Sequence, residues 1–131
     1  MKNTIFKLLE YSYYFSLFIL FVLYLFPGSL IGYFLYGNLG RQPDLIPNPI
    51  GTSINHLISF IFLSFIAFIL RVRKQNFINS FQFLFFISIF LEFLHRFIPN
   101  RAFEYNDLLA NTIGVVFAYL LIKFILKRKI S

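Results

Sequence analysis

The sequence contains no cysteine, so disulfides, thiolate metal sites and cysteine nucleophiles are excluded. Charge is scarce as well: 13% of 131 residues are charged, against about 25% in an ordinary soluble domain. Only five residues are acidic and two are histidine. A soluble domain of comparable length buries about 68–70% of its unfolded surface, and the rest must meet water. This chain has too few charged groups for that, which excludes a soluble globular domain, and its apolar content excludes a disordered one. A glycine-rich phosphate loop, a G-x-S-x-G elbow and an H-E-x-x-H motif are all missing. The net charge of +7 would fit nucleic acid on charge alone. Its twelve basic residues are instead scattered between long apolar runs, a pattern that orients membrane spans.

What the chain does have is hydrophobicity: 59% of it, with 21 phenylalanines. A spanning helix needs about 20 mostly apolar residues. Four segments meet this requirement, at about residues 8–27, 54–71, 77–98 and 107–126. The first stops at Pro27-Gly28, a strong breaker pair, and the third at Pro99. Ser29–Tyr36 is apolar and aromatic but too short to cross, so it reads as an interfacial segment or as the end of a longer, kinked first helix. The N-terminal run has no small-x-small cleavage pattern after it and is expected to be a retained span. Lys2 and Lys7, then Arg71, Arg73 and Lys74, then Lys123, Lys127, Arg128 and Lys129 flank the spans on one side. Arg41, Arg96 and Arg101 fall on the other, offset by Asp44, Glu104 and Asp107. The positive-inside rule then puts both termini in the cytoplasm and the 28–53 loop outside. The expected fold is all-α: a single-domain, four-helix bundle integral to the cytoplasmic (inner) membrane.

The few polar residues inside the spans are not randomly placed. An ionisable side chain at a helix centre costs about 2.5–3.5 kcal/mol on the insertion scale, so each is a functional suspect. His56 opens the second span; Glu92, His95 and Arg96 close the third; Asp107 and Asn111 open the fourth; Arg101 lies between. All fall toward the same, outer side. Ser88, Glu92, His95 and Pro99 share one helix face, as do Asp107, Asn111, Gly114 and Ala118. The second stripe begins polar and ends small, which lets helix backbones approach in lipid. His56, Phe60 and Leu63 form a third stripe. The three are expected to converge on an outward-opening polar pocket. For Ser53, Ser59, Ser64, Ser80 and Ser88, bonding back to a carbonyl one turn earlier or helix packing is the favoured expectation.

The runs Glu92-Phe-Leu-His95-Arg-Phe-Ile-Pro99-Asn-Arg101 and Asp107-Leu-Leu-Ala-Asn111-Thr-Ile-Gly114 resemble the signature of the VanZ-like family. That signature reads roughly E-x-x-Q, then F-x-P-x-R, then D-x-x-x-N-x-x-G, with an upstream histidine similar to His56. The resemblance covers about residues 53–122. It implies a small membrane protein with four spans and a connection to the cell envelope, since the founding member is associated with resistance to the glycopeptide teicoplanin. This chain departs from the pattern at three places: His95 replaces the usual Gln, Asn100 the usual Gly, and Thr52-Ser53 the usual Asp-Lys pair. The missing lysine removes a charge that would pair with Glu92 or Asp107.

Two readings of the polar residues stand side by side. In one, Glu92, Arg101 and Asp107 form a buried ion-pair network that locks the hairpin, and the protein is a non-catalytic structural or assembly subunit of an envelope complex. In the other, His56, Glu92, His95, Arg101, Asp107 and Asn111 form a ligand site for a phosphate-bearing lipid head group, such as a lipid-linked envelope precursor, with Gly114 and Ala118 packing the helices. Chemistry at such a site, with the histidines as proton carriers, is the less favoured variant. The Glu92-x-x-His95 spacing is like that of bundle di-iron proteins, but those need two such motifs and further carboxylates. Zinc on His56, His95 and one carboxylate satisfies zinc chemistry, yet the family's usual Gln at position 95 argues against it. No metal and no cofactor are expected. The expected partners are membrane lipids and a second copy or another membrane protein, not nucleic acid.

Overall fold

In the computed structural model, residues 2–40, 53–99 and 101–126 are described. They form five helices: α1 (Lys2–Leu25), α2 (Leu30–Tyr36), α3 (Ser53–Arg71), α4 (Phe81–Leu94) and α5 (Tyr105–Leu126). No strand occurs among the described residues. Arg41, Asp44, Thr52, Asn100 and the basic tail Lys127–Lys129 lie outside them.

Three helices are long and apolar enough to cross a membrane: α1 over Asn3–Leu25, α3 and α5. The fourth apolar helix, α4, has 14 residues. At about 1.5 Å per residue it is shorter than a hydrocarbon core of about 30 Å. Its helical part is shorter than the apolar stretch 77–98 because both ends are set by local bonds. Ser80 caps the start by accepting from Phe83 N at 3.1 Å. Beyond Leu94 the chain tightens into i→i−3 bonds, His95 N to Glu92 O, Arg96 N to Phe93 O and Phe97 N to Leu94 O. These tighter turns carry the chain to Pro99.

α2 is a separate helix, not a continuation of α1. Gly28 at φ 109° turns the chain after Pro27. Ser29 then caps α2 by accepting from Gly32 N at 2.9 Å, and its own N–H reaches Leu39 O at 2.7 Å. The outer face of α2 is apolar and open, with Phe34 80% exposed, which suits a helix lying against lipid.

The helices pack with α3 in the middle. Of its most apolar window 44% is buried, against 17% for α1 and 28% for α5. α3 and α5 run parallel, since Ser53 and His56 at the start of one meet Asp107 and Asn111 at the start of the other. Their close approach is set by Gly114. A Cβ there would lie 3.0 Å from both Leu57 O and Phe60 Cβ and 3.2 Å from Ile61 N. α1 runs antiparallel to α3. Its last turn meets the start of α3, while Phe6 and Glu10 near its beginning meet Arg73 and Lys74 after the end of α3. The core is a column of Phe60, Leu63, Ala67, Leu84, Leu91, Val115 and Ala118, all nearly fully buried. Around it, large apolar side chains point outward on every long helix, as lipid-facing surfaces do.

The two ends of the bundle differ. One gathers the basic residues Lys7, Arg71, Arg73, Lys74 and Lys123 at helix termini. There Arg71 donates to Asn76 O and Asn79 Oδ1, and Tyr13 donates to Ile78 O at 2.6 Å, which docks the α3–α4 turn on α1. The other end holds the buried ionisable groups.

Replacing Gly114 tests the α3–α5 contact. Gly114→Val should lower stability by about 1–3 kcal/mol, the usual range for an overpacked core. The check is thermal unfolding of the purified protein in detergent against Thr112→Val, which changes the half-buried neighbouring residue.

Candidate functional site

Four helix ends meet at the polar end: the last turn of α1, the first turns of α3 and α5, and the last turn of α4. Each contributes a buried polar side chain, namely Tyr24, His56, Asp107 with Asn111, and Glu92 with His95. Glu92 and Asn111 have no solvent exposure at all. Burying a polar group without a partner costs roughly 2–7 kcal/mol, depending on the reference state, so the partners define the site.

Asn111 is fixed from two sides. Its Nδ2 donates to Ser88 O on α4 at 3.1 Å, which leaves Oδ1 facing α1 and α3. Tyr24 donates its hydroxyl to that Oδ1 at 2.8 Å, and the same hydroxyl lies 2.6 Å from His56 Nδ1. A tyrosine has one proton to give. With that proton on Asn111, His56 Nδ1 donates to the Tyr24 oxygen, and the ring's other nitrogen, Nε2, turns toward Asp107 Oδ2 at 3.6 Å. Asp107 is held by Ser53 Oγ, which donates to Oδ1 at 2.7 Å. The Ser53 hydroxyl bonds the carboxylate without adding charge.

Glu92 is held through one oxygen only. Its Oε1 accepts from Glu104 N at 3.3 Å and faces His95 Nδ1 at 3.3 Å. Its Oε2 is buried, lies 3.8 Å from His56 Nδ1 and has no hydrogen-bond partner. The other nitrogen of His95 lies 3.0 Å from the carbonyl of Tyr24, and the two rings stack 5.2 Å apart at 17°. His95 thus ties α4 to α1. Outside the spans, desolvation and then the nearby Asp107 and Glu92 hold the Glu104 carboxyl above the usual carboxylate range.

Arg101 has a different role from the ion-pair network expected for it. Among the described residues no carboxylate lies within salt-bridge distance of its guanidinium. Instead Nη2 donates to Leu23 O at 2.6 Å and Nε to Phe26 O at 3.2 Å. These are carbonyls at the C-terminal end of α1, which a helix leaves unsatisfied and which carry partial negative charge. Burial pulls the guanidinium pKa below the ordinary arginine value, but arginine remains a cation in proteins. Arg96 is exposed and takes no part.

A cleft of about 380 Å³ opens beside this cluster, between α1, α2 and α3. Leu23, Leu30, Ile31, Leu35 and Ile58 give it apolar walls. Tyr24, Ser29, Asn55, His56, His95 and Arg101 supply its polar lining. A second, smaller cavity of about 230 Å³ lies between α1 and α3, lined by Phe15, Ile19, Leu20, Phe62 and Leu63. The two share Leu23 and Ser59. Ser59 bonds back to Asn55 O at 2.8 Å and Ser88 to Phe85 O at 2.6 Å, so neither hydroxyl is poised as a nucleophile.

Of the residues singled out in the sequence, the fold brings His56, Glu92, His95, Asp107 and Asn111 into one network and sets Arg101 on the cleft wall. Gly114 and Ala118 lie further along α5, at the buried contact with the core. Sequence reasoning missed Tyr24. Its signal was weak, one hydroxyl among Phe and Leu, but it falls in the last turn of the first span, level with the other polar groups.

Tyr24→Phe removes the hydroxyl that joins His56 to Asn111 and should cost about 1–3 kcal/mol, the penalty for leaving buried polar groups unsatisfied. Thermal unfolding in detergent of Tyr24→Phe, Asn111→Leu and the double variant checks this. The two costs should be less than additive, because both variants break the same bond.

No curated protein and no solved structure matches the chain. The model of the VanZ/LLP1 family matches residues 13–127, a stretch that includes α3, α4, α5 and the whole buried polar network. Together with apolar helices long enough to cross a membrane, this match makes the chain a multi-pass membrane protein that belongs to the VanZ/LLP1 family.

Proposed function

We propose that this protein resides in the cytoplasmic membrane with both termini in the cytoplasm, and that its cleft binds the head group of an amphiphile at the outer leaflet. The observation that carries this reading is the shape and chemistry of the cleft. Its polar lining holds one fixed cation, Arg101, and two histidines, and its walls are apolar. The smaller cavity adjoins it at Leu23 and Ser59 and lies along α1 and α3. A polar mouth joined to an apolar groove complements a lipid: the head group on Arg101, the chain along the helices. Arg101 donates to α1 carbonyls rather than to a carboxylate, so its charge is left to attract an anion such as a phosphate. Membership of the family supports a role in the envelope, with glycopeptide susceptibility as the phenotype to examine.

The orientation rests on charge. The bundle end with the α3–α4 turn carries Arg71, Arg73 and Lys74, and by the positive-inside rule it faces the cytoplasm. The chain has no native cysteine, so single-cysteine variants label against a clean background. In intact cells a membrane-impermeant maleimide should label Asn38→Cys and spare Lys74→Cys. The opposite pattern would overturn the orientation.

Head-group binding is checked by native mass spectrometry of the purified protein. A phospholipid or polyprenyl phosphate should remain bound to the wild-type chain. Ile58→Trp, which fills the cleft without touching the polar network, should lose it while the unfolding temperature holds. Arg101→Lys should retain part of it. Equal retention by wild type and Ile58→Trp would leave the cleft without a ligand and favour a purely structural network.

A further inference from the structure

The hydrogen-bond network leaves a buried carboxylate oxygen of Glu92 without a partner. Asp107 uses Oδ1 for Ser53, Glu92 uses Oε1 for Glu104 N and His95, and His56 uses Nδ1 for Tyr24 and Asn111. Glu92 Oε2 is buried with no hydrogen-bond partner, and Asp107 Oδ2 faces His56 Nε2 at 3.6 Å. One ring nitrogen of His56 and one oxygen from each carboxylate all lie within 4.8 Å of one another. His56 Nε2 lies 3.6 Å from Asp107 Oδ2, and His56 Nδ1 lies 3.8 Å from Glu92 Oε2, both too long for hydrogen bonds. The Nε2–Asp107 separation is close to what a shared ion imposes: two ligands about 2.0–2.1 Å from a tetrahedral zinc sit roughly 3.3–3.4 Å apart.

Electrostatics points the same way. Two buried carboxylates side by side repel, and Arg101 donates to carbonyls instead of to either of them. A neutral His56 that donates through Nδ1 presents a lone pair, not a proton, to Asp107. A cation between them satisfies that arrangement.

We infer that His56, Glu92 and Asp107 form a site for a single divalent first-row transition metal ion, with Zn²⁺ the best fit to one nitrogen and two oxygen ligands. The residues around them are the outer shell such a site requires. Tyr24 and Asn111 fix the His56 tautomer, Ser53 orients Asp107, and His95 orients Glu92. Three protein ligands leave a fourth position for water or a ligand, as in zinc sites that react or exchange. His56 also lines the cleft, which gives the ion its entry path. The objection to a histidine ligand at position 95 does not apply, because His95 is outside this set. The ion and the head group are separate claims, since metal uptake is measured in detergent without added lipid and either can fail alone.

The test uses the full chain with a histidine-free affinity tag, stripped with a chelator, reloaded with Zn²⁺ or Mn²⁺ and desalted. Elemental analysis should find about one ion per chain for at least one of the two metals. The same ion should raise the unfolding midpoint by at least about 5 °C. Glu92→Gln and Asp107→Asn, each nearly the same shape as the native residue, should lose both the ion and the thermal shift. His95→Gln should keep the stoichiometry with affinity weakened about 10–100-fold. A folded wild-type chain that retains neither metal overturns the site. Metal retention that survives in whichever of Glu92→Gln and Asp107→Asn folds also overturns it.

Discussion

Inside a bundle of membrane-spanning helices a buried polar group has no water to take up a hydrogen bond that the protein leaves unmade, and Glu92 has no solvent exposure. Its carboxylate must find partners from other elements, and so must Asp107, Asn111 and His56. The partners come from four helix ends, and this fixes how the helices meet. Ser88 O on α4 orients Asn111 on α5, Asn111 receives Tyr24 from α1, and Tyr24 holds His56 on α3. Each bond crosses between helices. The polar end is therefore a set of mutual constraints, and the apolar column beneath it has only to fill space.

Close packing makes those bonds reachable. Because a Cβ at Gly114 would touch α3 backbone, the parallel pair α3–α5 is drawn together one turn below the polar end. That brings Ser53 within 2.7 Å of Asp107. The peripheral helix, α1, is held mainly through Tyr24 at one end and Tyr13, Phe6 and Glu10 at the other. Between these points its contact with α3 is loose enough to leave the smaller cavity. Arg101 fastens the end of α1 through two carbonyls, and the break at Pro27-Gly28 lets α2 fold over the cleft mouth. The cleft thus lies beside the tethered end of α1, where α2 and the start of α3 form its other walls.

Much of this was legible in the sequence. Apolar runs and the breakers Pro27-Gly28 and Pro99 outlined the helices, because a span must be long, apolar and uninterrupted. The spacings Ser88-Glu92-His95 and Asp107-Asn111-Gly114-Ala118 named residues that face the interior, because helical periodicity is local. Other features were not legible. The end of α4 at Leu94 depends on i→i−3 bonds that no apolar count reveals. Arg101 read as a partner for carboxylates, but the unsatisfied carbonyls of α1 lie nearer in space, and nothing in the chain order says so. Tyr24 was hidden for the same reason, 32 residues from His56 and 87 from Asn111.

By itself, then, the sequence determined the medium and the helical class, since these follow from composition and from short-range periodicity. It also determined which side chains would be costly to bury. The tertiary structure alone decided which of their atoms are used up and which remain. His56, Glu92 and Asp107 are far apart in the chain, and only packing brings a ligand atom of each within 4.8 Å of the others. Donor and acceptor counts belong to residues, but their balance belongs to a place in space, and that place exists only once the helices have met.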